Sequence, residues 1–123
     1  MDITLELGKI ERHLLDSKNR KLLEECWIQL AKDFNLAGIS DFPASKPVDL
    51  NALISILIEF ITSPKNKTTN WDSVNYRVDI PSEIDCSMLS SENYARLLFI
   101  RVFQKVWFRH QYQSFDRNGQ IHE

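Results

Sequence analysis

The sequence predicts an all-α fold, a compact bundle of four to five helices, with one segment at 71–80 that suits either a short helix or a short strand. Three observations carry this. Helix formers dominate every long periodic stretch. Three glycines and four prolines in 123 residues are too few for a turn-rich sheet protein. Apolar side chains also recur at three- and four-residue spacing along four separate stretches. The length suits one domain, 1–123, with a flexible polar tail from about residue 115.

Ile3, Leu7, Ile10 and Leu14 form the stripe of a first helix, which Asp2 or Thr4 can cap. The apolar face lapses at 16–19, where Ser17 or Asn19 can cap a second helix. Its stripe is Leu23, Cys26, Trp27, Leu30, Ala31 and Phe34, with Glu24, Glu25, Gln29, Lys32 and Asp33 opposite. Gly38 is its expected stop, since glycine has no Cβ to oppose a left-handed turn. The two helices read as an αα-hairpin. Residues 39–48 connect onward through two prolines, with Ile39 and Phe42 expected to fold back onto the core.

Asp49 is the natural N-cap of a third helix, 50–62, which is apolar on nearly every side and therefore reads as central or as an oligomer seam. Pro64 ends it, and 63–70 reads as the most exposed loop. Between 71 and 80, local propensity favours a strand through Val74, Tyr76, Val78 and Ile80. A lone strand would leave its backbone groups unpaired, so the helix, capped by Asn70, is preferred. Ile84, Met88 and Leu89 then face inward from a short turn, and Ser90 or Ser91 caps the last helix.

At 100° per residue, Ala95, Phe99, Val102, Phe103, Val106 and Trp107 of the last helix share one wide arc. Arg101, Lys105 and Arg109 form an i,i+4 stripe on another side, flanked by Leu98, Tyr94 and Tyr112. The stripe is the candidate docking edge, with Tyr112 included. Residues 1–93 carry fifteen acids and ten bases, whereas 94–117 carry five bases and one acid. Long basic side chains can also cover apolar surface while their charge stays in water. Arg96 falls on the apolar arc, which predicts a structural ion pair with Asp79 or Asp85. Arg77 and Asp79 raise the same expectation, as does Glu59, which interrupts the apolar third helix.

The chain offers little chemistry beyond this. No glycine-rich phosphate loop, HExxH or paired-cysteine motif is present, and its three histidines are widely separated, so neither cofactor nor metal is expected. Cys26 reads as a buried free thiol. The Asn66 sequon carries little meaning without a secretory segment, and apolar runs are too short to cross a membrane, so a cytoplasmic protein is expected. The expected function is a small soluble protein–protein interaction module without catalysis: an adaptor, a regulatory subunit or an immunity-type inhibitor. Its motive is that Trp27, Trp71 and Trp107 are hard to bury together in so small a core. It predicts an exposed apolar patch near the third or last helix. The alternatives are a nucleic-acid binder using the basic stripe and a structural homodimer seamed by the third helix.

Overall fold

The computed structural model describes residues 2–16, 19, 21–39, 41–43, 46–66 and 69–117, with side chains through Tyr112. Five α-helices occupy them: α1 (Ile3–Leu15), α2 (Leu22–Leu36), α3 (Leu50–Thr62), α4 (Trp71–Arg77) and α5 (Ser91–Arg117). No strand occurs among the described residues, and 71–80 adopts the helical alternative. The all-α bundle is therefore the observed fold.

Local chemistry starts each helix where a short polar side chain can receive orphan N–H groups. Asp2 accepts from Leu5 N at 3.1 Å, Asp49 from Ala52 N at 2.8 Å and Ser90 Oγ from Asn93 N at 3.1 Å. α2 differs from expectation. It begins after Lys21 with no side-chain cap, while Asn19 Nδ2 donates backwards to His13 O at 3.0 Å and closes α1 instead. Ser17 lies outside the described residues.

Two helices end in the same backbone geometry. After α2, Gly38 adopts φ +94°, Gly38 N donates to Asn35 O and Ile39 N to Phe34 O at 2.9 Å. After α4, Asp79 takes the left-handed position at φ 62°, with Asp79 N donating to Tyr76 O and Ile80 N to Asn75 O at 3.0 Å. In each case an apolar residue then returns to the core, as Ile39 and Ile80 do.

α5 is the centre of the bundle, packing against α1, α2 and α3, whereas α4 lies on α2. This revises two expectations. α1 packs chiefly on α5, so the first two helices are held together through the last one more than as a hairpin of their own. α3 is not central: Asn51, Ser55, Glu59 and Thr62 form an exposed outer strip, while Leu53 and Leu57 are fully buried. The consecutive run Leu97–Ile100 is buried on α5, so the helix is enclosed on all sides over that turn.

The connector expectation holds. Phe42 packs 4.7 Å from Trp27, 4.9 Å from Phe34 and 5.4 Å from Phe60, ring centre to ring centre. The first part of the 63–70 segment is not a plain exposed loop. Pro64–Asn66 form a 3-10 turn, and Asn66 is buried, its Nδ2 donating to Phe60 O at 2.7 Å. Met88, expected inside, is 81% exposed at the end of the 3-10 turn Cys86–Met88. α5 continues to Arg117, past the expected onset of the tail.

Candidate functional site

The polar side of α5 is built into the bundle through α2. Gln29 and Asp33, one turn apart on α2, were expected to face solvent, but they are 7% and 3% exposed. Gln29 Nε2 donates to Asp33 Oδ1 at 2.9 Å. Lys105 Nζ donates to Asp33 Oδ2 at 3.1 Å, and Arg109 Nη1 to Gln29 Oε1 at 3.1 Å. The result is a closed polar seam between two antiparallel helices. Burying a carboxylate is costly unless it is paired and hydrogen-bonded, and Asp33 has both forms of compensation. Beyond the seam, His110 Nε2 meets both carboxylate oxygens of Glu25, 2.7 Å from Oε2.

The same stripe reaches α4. Lys105 Nζ also donates to Arg77 O at 2.8 Å, and Arg101 Nε donates to Asp79 O at 3.0 Å. Carbonyls at the end of a helix have no intrahelical donor, so these cations satisfy them and oppose the negative end of the helix dipole. Tyr94 Oη adds a hydrogen bond to Asn75 Oδ1, and burial pushes the Tyr94 phenol up. With α4 tied to Tyr94, Arg101 and Lys105, Leu98 between them is enclosed.

The expected ion pairs are not formed. Arg96 Nη1 donates to Asn93 Oδ1 at 3.1 Å, one turn away on its own helix. Arg77 is exposed, its guanidinium 5.9 Å from the Tyr76 ring centre, and Asp79 contributes its carbonyl to the packing while its side chain is exposed. Asp85 caps the following 3-10 turn, accepting from Ser87 N at 3.1 Å. Glu59 is exposed on α3, and among the described residues no ion pair holds Arg96, Arg77, Asp79, Asp85 or Glu59. The physical reason is solvent access. Arg96 is only half-buried, so its guanidinium needs no buried counter-charge.

None of the three tryptophans stands out into solvent. Trp27 is buried, Trp71 is half-buried edge-on to Tyr94 at 5.8 Å, and Trp107 is half-buried between Phe103 and His13. Large apolar side chains are exposed in several other places, Leu15, Val48 and Met88 among them. Leu36, Tyr76 and Phe108 are 51%, 77% and 71% exposed and come from α2, α4 and α5.

These three side chains border adjoining shallow concavities. Leu36 and Tyr76 share one of about 280 Å³, with Asp72 and Arg77. Tyr76, Arg77, Asp79, Ile80 and Lys105 line the next, of about 470 Å³. Asp79, Arg101, Gln104, Lys105 and Phe108 line a third, of about 280 Å³. They form a row, the trough, in which Tyr76 and Arg77 border the first two and Asp79 and Lys105 the last two, and Arg77, Arg101 and Lys105 are set against Asp72 and Asp79. Tyr112, 54% exposed, lies one turn beyond Phe108.

Phe108 was legible from the helix map, since it falls between Gln104 and Arg101 in projection and one turn from Tyr112. Leu36 and Tyr76 carried no such signal, because only tertiary packing brings α2 and α4 together. Among the described residues no group of His, Cys, Asp or Glu is placed to hold a metal ion, and no helix is long and apolar enough to cross a membrane. Compared with family models, curated proteins and solved structures, the chain has no significant match.

Proposed function

We propose that this protein is a docking module for another polypeptide and that the Leu36–Tyr76–Phe108 trough is its contact surface. The observation carrying this reading is that three exposed apolar side chains from three helices border a row of adjoining depressions whose charged residues are of both signs. Aromatic anchors beside fixed charged groups are where binding energy concentrates at protein interfaces. The near balance of charge suits a polypeptide better than a polyanion. The cationic ends of Lys105 and Arg109 are already engaged by Asp33, Arg77 O and Gln29, which lessens their use in neutralising phosphates.

A photo-crosslinking residue at position 76 or 108, introduced in the native host, tests the proposal against position 59 on the outer strip of α3. Positions 76 and 108 should capture one and the same polypeptide, and position 59 should not. Equal capture at all three positions, or capture at none, rejects the trough. Adducts of twice the chain mass, together with concentration-dependent light scattering, would make that polypeptide a second copy.

A further inference from the structure

α4 has seven residues, too few to persist on its own hydrogen bonds, so its order depends on what holds it. Val74 and Val78 anchor it in the core and Trp71 packs edge-on to Phe34 and Tyr94, while its other ties to α5 are polar. Lys105 donates to the carbonyl of Arg77, Arg101 to that of Asp79, and Tyr94 Oη to Asn75 Oδ1. We propose that α4 and the turn through Ile80 form a strap that opens separately from the rest of the bundle, with Lys105 as its latch.

The seam explains why such an opening is affordable. Asp33 is held by Lys105 and Gln29, both supplied by α2 and α5, so lifting α4 leaves no buried carboxylate unpaired. The lost polar contacts are carbonyls and an amide that water can satisfy at once. Local openings of this kind draw on the least apolar, most solvent-accessible contacts of a fold. Tyr76 rides on α4, so the trough is complete only when the strap is closed. The strap itself stands independently of the docking proposal.

Native-state hydrogen exchange on the full chain tests it. The reporter amides are Val78 N, bonded to Val74 O, and Ile80 N, bonded to Asn75 O. In the unaltered protein they should exchange at least roughly tenfold faster than amides in the middle of α5, through an opening insensitive to low denaturant. In an Asp33→Asn background, where no buried carboxylate is left unpaired, Lys105→Met should widen that ratio by about another tenfold, the order expected for losing a charged hydrogen bond. Arg101→Gln leaves the Asp33 pair intact and should widen it in the same direction by less, which covers the case in which Lys105→Met fails to fold. Exchange of Val78 and Ile80 together with the α5 core would overturn the strap. A separate opening whose ratio neither substitution changes would overturn the latch.

Discussion

Lys105 Nζ lies 3.1 Å from Asp33 Oδ2, joining α5 to α2 across a carboxylate that is almost completely enclosed. The pair turns what reads in sequence as two exposed charges on separate helices into one internal feature. It also fixes the face of α2 that meets α5, because a rotation exposing Asp33 would break the Gln29–Arg109 bond as well.

Removing one member of a buried pair leaves the other uncompensated. Asp33→Ala is expected to lower unfolding free energy by ~2–4 kcal/mol, read from the urea midpoint. Lys46→Ala, which breaks the exposed pair with Glu24, should leave the midpoint unchanged. Comparable losses in the two variants would show that the seam contributes no more than a surface pair.

The two left-handed helix ends make opposite predictions. At Gly38 no atom lies within 4 Å of an added Cβ, so Gly38→Ala tests backbone strain alone and should cost ~1–2 kcal/mol. Asp79→Gly removes a Cβ from the same kind of position and keeps the carbonyl that Arg101 uses. It should raise stability by about 0.5–1 kcal/mol. A destabilised Asp79→Gly variant would mean that the exposed carboxylate has a structural role its surroundings do not reveal.

Asn66 matches a glycosylation signal in sequence, yet its Nδ2 is spent on Phe60 O inside the fold. Asn66→Ala should destabilise by ~1–3 kcal/mol, because the carbonyl at the end of α3 loses its donor. The folded protein should be refractory to oligosaccharyl transfer at this site, whereas an unfolded peptide spanning it should accept. Efficient transfer to the folded chain would contradict the burial.

Burial pushes the Cys26 thiol up from its ordinary 9.0 to about 12. Below pH 9 the thiol is protonated in both states and contributes no pH dependence. From pH 9 towards 12 the unfolded chain releases this proton and the folded chain keeps it, so stability falls by ~1.4 kcal/mol per pH unit from this group. Cys26→Ala should flatten the alkaline decline. With an alkylating reagent at pH 8, the half-buried Cys86 should react first and Cys26 only on unfolding. Prompt labelling of both thiols would refute this environment for Cys26.

Local signals were readable wherever one residue and its near neighbours decide the outcome. Asp2, Asp49 and Ser90 cap helices because their side chains reach the next turn's N–H groups. Gly38 ends α2 because only its own φ is at issue. The third helix was misjudged because hydrophobicity counts how much surface wants cover without saying which neighbour supplies it. α3 packs one face on α5 and leaves its Asn51–Ser55–Glu59 strip outside.

The sequence by itself determined the helical class, most helix boundaries and the basic–aromatic character of α5, all set by short-range sterics and periodicity. Only the tertiary structure decided what the basic stripe does and where apolar surface remains. Charge partners such as Asp33 and Lys105 lie seventy-two residues apart, and carbonyl acceptors such as Arg77 O and Asp79 O carry no side-chain signature. Whether Leu36, Tyr76 and Phe108 become neighbours depends on how three helices pack, a long-range outcome that no spacing within any one of them encodes.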